Sequence, residues 1–420
     1  MGRATGSADL PLHGGRVPAW LHTRMARLGR VIVEAIILHA GRDELFRRLA
    51  HPFWFQSFGA VMGMDWHSSG ITTSVMGALK RGLAPAQREL GIYVCGGRGR
   101  HSRRTPDELV AVGERVGLDG DALAHTSRLV AKVDSAAVQD GFALYLHSFV
   151  VAEDGTWTVV QQGMHDGRRQ ARRYHWLSES VTSFVDEPHT AIDGENQGTI
   201  VNLTDRRAKP NRDGQVELVR GGPDRVVATL RKLREEPARA VQSSLLPHLS
   251  LPAHHDVRAS DVVLRRLHGA LAAAADRGAA DFTDVMMTPG VGARTMASLA
   301  LVAEVIHGAP HRFSDPARFS YAHGGKDGHP FPVPLKVYDD TIRVLKDAVA
   351  RAKLGQDERL AAIKRLDEQA RRLEGVARGE PWQHLVVRER RASHRYGGMT
   401  VMGPAKKPDS DQLGLPGFDE

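Results

Sequence analysis

Between residues 132 and 200 the chain gathers the side chains that phosphodiester chemistry uses. Asp134, Asp140 and Glu187 stand among His165, His175 and His189 and the arginines Arg168, Arg169, Arg172 and Arg173. Carboxylates of this kind can hold Mg²⁺ or Mn²⁺, and arginines can offset charge growing on phosphorus. The expectation is a metal-dependent nuclease. Asp134, Asp140 and Glu187 would be the metal ligands, His67 or His189 the base, and Arg172 and Arg173 the phosphate clamps. His67 comes from Asp65-Trp66-His67-Ser68-Ser69-Gly70, where small hydroxyls, a histidine and an acid leave an apolar run. Such a stretch reads equally as a site loop or as the cap of a helix begun by Thr72 or Thr73.

The pattern departs from nuclease signatures in two places. Restriction-type nucleases carry an acid-x-lysine on the second strand, where this chain has the neutral Gln161 and Gln162. The spacing of His165, His175 and His189 is not that of a zinc triad. A polar binding surface without catalysis is therefore the rival reading.

Two other stretches are suited to gripping phosphate. In residues 281–307, Asp281 caps a short helix bearing Phe282, Val285 and Met286, and Thr288-Pro289-Gly290-Val291-Gly292 ends it in a tight turn. Both glycines permit positive φ. A second helix restarts at Ala293, with Met296, Leu299, Ala300, Ala303 and Ile306 on one face. Its first N–H groups, with Ala293, Arg294 and Thr295, are preformed for an anion. The segment resembles the helix-hairpin-helix of DNA-repair glycosylases, nucleases and some insertion-sequence transposases, whose turn reads L-P-G-V/I-G. Thr288 replaces the usual apolar residue. The resemblance implies a sugar-phosphate grip without sequence specificity; the plainer reading is a turn between two core helices. The second stretch is GGRGRHSRR, expected to be a mobile positive loop in which Arg98, Arg100, Arg103 and Arg104 meet phosphate. It lacks the lysine and following helix of a Walker loop. A base-excision glycosylase, the third reading, needs an aspartate beyond the second helix. Asp315 is the nearby candidate and lacks the usual flanking pattern.

These groups need elements to carry them. Pro18 to Leu38 has a helical apolar stripe, Gly41 ends it, and Asp43 is expected to cap a second helix. Phe53, Trp54, Phe55 and Phe58 belong to a core. Residues 91–95 read as a buried strand, and Thr105 and Asp119 begin helices. Phe142 to Val151 and Trp157 to Gln162 form two strands joined at Glu153-Asp154-Gly155-Thr156. The polar run after them, through Tyr174 and His175, is read as a site segment rather than sheet. PHLSLPAHHD marks a domain boundary.

Composition bounds the rest. The 420 residues are 41% hydrophobic and 25% charged with a net charge of +8, and the isoelectric point is 9.7. That balance favours an anionic partner. Cys95 is the only cysteine, so an internal disulfide and a multi-thiolate zinc site are excluded. The start of the chain lacks the apolar run of a signal peptide, and nothing approaches the ~18 apolar residues of a membrane span. A cytoplasmic, nucleoid-associated protein without membrane contact is expected.

DLPLHGG, DWHSSG, CGGRGR, VQDG, VVQQGM, ARRYHWLSE and the PGVG turn together resemble the domain-of-unknown-function family numbered 763, over roughly residues 7–375. The resemblance implies that the polar motifs belong to one site and brings no activity.

The expected fold is α+β. A helix-rich N-terminal domain over residues 1–240 carries a small antiparallel sheet and the polar site. An all-helical domain over 255–378 carries the DNA-binding turn, and a disordered tail covers 391–420. The expected function is DNA binding in DNA metabolism or repair, as a nuclease or as a non-catalytic adaptor. In the adaptor reading the tail docks on the sliding clamp. Gln412 would make the polar contact, and Leu413, Leu415, Pro416 and Phe418 would fill an apolar groove, because the sequence resembles clamp-binding peptides of the form Q-L-x-L-F.

Overall fold

The computed structural model describes residues 19–64, 70–165, 167, 170–235, 264–317 and 335–351, with 355, 360–365, 391, 399–400 and 403–404. His67 and the tail residues Gln412, Leu413, Leu415, Pro416 and Phe418 lie outside them.

The chain opens in helices. The stripe of Leu21, Met25, Leu28, Ile32 and Ile36 on α1 (Ala19–Ala40) is buried. Gly41, at φ 87°, breaks it and is itself the N-cap of α2 (Arg42–Ala50). Asp43 therefore lies inside the first turn, where its charge favours the helix N-terminus, and is not the cap. His51 starts α3 (Pro52–Val61), its Nδ1 accepting from the Trp54 amide at 3.3 Å. All ten residues of α3 are buried, as the aromatic cluster demands. Then come α4 (Ile71–Leu83) and the short α5 (Gln87–Leu90).

The sheet begins with β1 (Ile92–Arg98), followed by α6 (Arg100–Arg103), α7 (Thr105–Val116) and α8 (Gly120–Lys132). The Arg98–Arg104 stretch is thus strand and helical turn, where a mobile loop was expected. Gly96 explains the difference: a Cβ there would lie 2.3 Å from the His147 carbonyl oxygen and 2.4 Å from Thr105 Oγ1. Only glycine lets β1 pass so close and stay paired with its neighbour as far as Arg98. A π-helical turn, Val133–Ala137, ends α8 and leads to β2 (Val138–Gln139). The hairpin β3 (Ala143–Ala152) and β4 (Trp157–His165) follows as the sequence predicts. The polar run after it is a third strand, β5 (Gln170–Leu177), and β6 (Ala191–Asp193) completes an antiparallel sheet of order β1-β3-β4-β5-β6.

Across this sheet His147 lies opposite Gln161, and Gln161 opposite Tyr174. Gln162 lies opposite Arg173, and Arg173 opposite Asp193. Opposed residues share a face, so the first row is on one side of the sheet and the second on the other. The first face also carries Phe149, Val159 and Trp176, which pack with α7 and α8. The same cluster takes in the later elements β7 (Thr199–Asn202), α9 (Lys209–Arg220), α10 (Pro223–Glu235), α11 (Leu264–Asp276), α12 (Phe282–Met287) and α13 (Ala293–His307). A second small sheet has the order β2-β7-β8, with β8 at Arg312–Ser314. The opposite face, with Val150, Val160 and Leu177, packs with α1 to α4 and α14 (Leu335–Arg351).

The protein is therefore α+β, with a small antiparallel sheet. Its cores follow the two faces of that sheet, and one of them runs across the boundary expected near residue 240. Among the described residues no helix is long and apolar enough to cross a membrane.

The cap of α3 gives a pH test. Burial, then the charge of Arg48, lowers the pKa of His51 to about 4, and protonation would remove the lone pair that accepts from Trp54. The folded-state pKa lies below that of the unfolded chain, so this contribution is complete above pH 6.5 and is lost as pH falls toward 4. His51→Asn keeps an acceptor and does not titrate there. Unfolding free energies from urea titrations between pH 7.5 and 5 should fall more steeply in the wild type, by up to about 1.4 kcal/mol per pH unit. Parallel profiles would contradict the cap.

Candidate functional site

Three buried polar systems hang on the strands, and Asp134, Asp140, Arg172 and Arg173 are divided among them. In the first, Asp134 has no exposed surface. Its Oδ2 accepts from Gln161 Nε2 at 2.5 Å and Trp176 Nε1 at 3.0 Å, and its Oδ1 is 2.5 Å from His189 Nε2. In the second, Asp140 Oδ2 accepts from the Tyr174 hydroxyl at 2.6 Å and from Arg172 at 2.7 Å. Arg172 also donates both terminal nitrogens to Asp315, at 3.0 and 2.5 Å. In the third, on the other face of the sheet, Arg173 donates to Asp193 at 2.6 Å, Gln56 at 2.9 Å and His175 Nε2 at 2.8 Å.

Arg172 and Arg173, expected to clamp phosphate, are both fully buried and face carboxylates. Burial works against the Arg172 charge, and Asp315 and Asp140 more than offset it, so its pKa is raised. Burial and the adjacent Arg173 hold the His175 pKa well down. The ring is neutral, which matches its acceptance of the Arg173 Nε–H. Glu187 belongs to none of these systems. It sits in left-handed backbone at φ 47° and accepts from Arg206 at 3.1 Å. His189, two residues on, reaches Asp134. Among the described residues no three of His, Cys, Asp and Glu form a group that could hold a metal ion. Asp134, Asp140 and Glu187 therefore supply no common ligand set there. Asp315, the glycosylase candidate, is a fully buried partner of Arg172.

The basic segment is arranged differently. Arg98, Arg100, Arg103 and Arg104 are all exposed, and none pairs with a carboxylate among the described residues. The Arg98 guanidinium lies over the Tyr145 ring, 5.7 Å from its centroid. Arg103 also lines an open cavity of about 430 Å³ whose walls include Arg128, Lys132, Ser127, His147 and Gln161, with no acid among the described residues that line it.

Lys132 connects this cavity to the Thr288–Gly292 turn, because its ammonium donates to the Val291 carbonyl. Gln139 Nε2 donates to the Ala293 carbonyl at 2.9 Å, so the turn is held from the π-helical end of α8 and from β2. Thr288 is buried where an apolar residue was expected, and its hydroxyl is satisfied by the Asp284 carbonyl at 2.9 Å. Gly290 adopts φ 87°, as the turn requires. Gly292 does not use left-handed backbone: at φ −133° it is the extended N-cap of α13, and a Cβ there would meet nothing within 4 Å. Pro289, Gly290 and Arg294 are exposed, Gly292 and Ala293 partly so, while Val291 and Thr295 face inward. The first N–H groups of α13 have no acceptor within the helix.

Sequence reasoning missed Ser127, Lys132, His147 and Arg128 as lining groups. His147 gave one signal, a polar residue at an inward position of the apolar strand FALYLHSFV. Ser127 and Arg128 gave none, since nothing in a single helix says that its polar side opens on a cavity.

A family model described as "Protein of unknown function (DUF763)" matches residues 6–333. No curated protein and no solved structure matches the chain.

The buried arginine can be told from a phosphate clamp by stability. Arg172→Met leaves Asp140 and Asp315 without their cation and should cost about 3–5 kcal/mol in urea unfolding. Arg104→Gln, on the surface, should change stability by no more than about 0.5 kcal/mol. Wild-type stability in the Arg172 variant would show that the pair is not structural.

Proposed function

The chain belongs to the DUF763 family, whose description carries no activity, and we propose from the geometry that it is a DNA-backbone-binding protein of DNA metabolism. What supports this reading is a set of cationic groups: arginines of β1 and α6 that meet no carboxylate among the described residues, a cavity with Arg103, Arg128 and Lys132 and no acid among its described lining residues, and Lys132 bonded to the Thr288–Gly292 turn. Clustered cations without carboxylate partners are poorly offset within the protein itself, and polyphosphate supplies what is missing. The turn adds amides at a helix N-terminus, which suit a sugar-phosphate backbone and carry no sequence preference. The acids of the metal-dependent reading are engaged with Arg172, Arg206 and the donors around Asp134, which speaks against a metal-dependent nuclease and leaves backbone binding as the reading. The tail peptide Gln412–Phe418 fits the same reading as a tether to the sliding clamp. A peptide of residues 408–420 should bind the clamp and lose binding when Gln412 and Leu415 become alanine.

Binding of labelled duplex DNA, followed by anisotropy across a salt series, tests the surface. Replacing Arg98, Arg100, Arg103 and Arg104 by glutamine should lower the salt slope by up to about 0.9 per lost phosphate contact. Gly292→Leu has open space around its side chain, so the fold should survive while DNA affinity drops several-fold. Wild-type slope and affinity in both variants would overturn the proposal.

A further inference from the structure

Backbone binding leaves one arrangement unused, a directional chain of hydrogen bonds that ends on the cavity wall. Ser127 Oγ is 2.8 Å from His147 Nε2, His147 Nδ1 is 2.7 Å from Gln161 Oε1, and Gln161 Nε2 donates to Asp134. The direction is set from its buried end. Gln161 Nε2 also donates to the Val130 carbonyl, which can only accept, so Gln161 turns its N–H₂ toward Val130 and Asp134 and its carbonyl oxygen toward the histidine. His147 must then donate from Nδ1, and its Nε2 lone pair is left for the hydroxyl hydrogen of Ser127. Burial lowers the His147 pKa, so the ring is a neutral base at neutral pH.

Each member is buried, and each comes from a different element: Ser127 from α8, His147 from β3, Gln161 from β4 and Asp134 from the π-helical turn. A histidine that only fills a core does not need a hydroxyl partner at the wall of a cavity. Here Ser127, His147 and Gln161 all line the cavity that Arg103 and Lys132 also line.

We propose that Ser127 is a nucleophile and His147 its general base, acting on a phosphate diester held in this cavity. The source of that diester, bound DNA, rests on the backbone-binding reading. Ser127 Oγ forms a bond to phosphorus as the bond from phosphorus to the leaving oxygen breaks. The Oγ proton passes to His147 Nε2 and from there to the leaving oxygen, which departs as an alcohol. The serine is left esterified to the remaining phosphate. Attack on that ester by water, or by the released hydroxyl in the reverse step, frees Oγ and completes the cycle. Arg103 and Lys132 offset charge on the phosphoryl oxygens. Gln161 and Asp134 are positioning residues that hold the tautomer.

The full-length protein, in EDTA, is offered bis(para-nitrophenyl) phosphate in one arm and labelled duplex and single-stranded DNA in the other. Nitrophenolate release is expected, lower by at least about a hundredfold in Ser127→Ala and His147→Gln. In the wild type, label should remain on the Ser127 peptide after denaturation. The adduct is sought in the wild-type protein, so it does not depend on how the variants fold. DNA bound normally with neither nitrophenolate nor adduct would overturn the nucleophile and leave the backbone reading intact. A Ser127→Ala variant that turns over like the wild type would overturn it as well. Ser127-dependent cleavage of the small diester without DNA binding would support the nucleophile and sink the backbone reading.

Discussion

A carboxylate with no access to water has to be satisfied from within, and the site is arranged around that demand at Asp134. Its donors come from β4, β5 and the segment after β5. Removing one would leave a buried charge short of a partner, a loss worth about 1–3 kcal/mol and more for an ion. The acid sits in a π-helical turn, a form that inserts one extra residue and is frequent at functional sites. That turn also sets the end of α8. It therefore fixes where Lys132 meets the Val291 carbonyl and where Ser127 meets His147.

The same sheet carries two further buried ionic groups, and they explain why the polar strand β5 is sheet at all. Its arginines point to opposite faces, Arg172 to Asp140 and Asp315 and Arg173 to Asp193. Each guanidinium is planar and can serve several acceptors, which suits it to such sites better than lysine. Arg172 thereby ties β5 to the loop after β8, 143 residues on. This tie and the shared apolar cluster bring residues 264–317 onto the sheet's own core.

Much of the architecture was legible where periodicity and punctuation are local. The stripe of α1, the aromatic run of α3, the β3–β4 hairpin and the two helices around Thr288–Gly292 all follow from spacing and turn residues. What was hidden depends on distant partners. The run ARRYHW reads as a site segment rather than sheet until Asp140, Asp193 and Asp315 are known to face it. Order in Arg98–Arg104 depends on Gly96 letting β1 lie against Thr105 and the His147 carbonyl. For the site, the sequence pointed to the cationic segment and the turn. It could not show that Lys132 joins them, nor that Ser127, His147 and Gln161 meet. Each is a single polar residue on a separate element, and only the packing of α8 on the sheet makes them neighbours.

The proposed surface for a nucleic-acid backbone joins the arginine segment, the cavity and the turn. Amide hydrogen exchange, with and without saturating duplex DNA, tests it directly. Added DNA should slow exchange together in residues 98–104, 124–132 and 290–296, leaving α1 to α3 unchanged. DNA that binds while protecting other segments, or only one of these three, would contradict it.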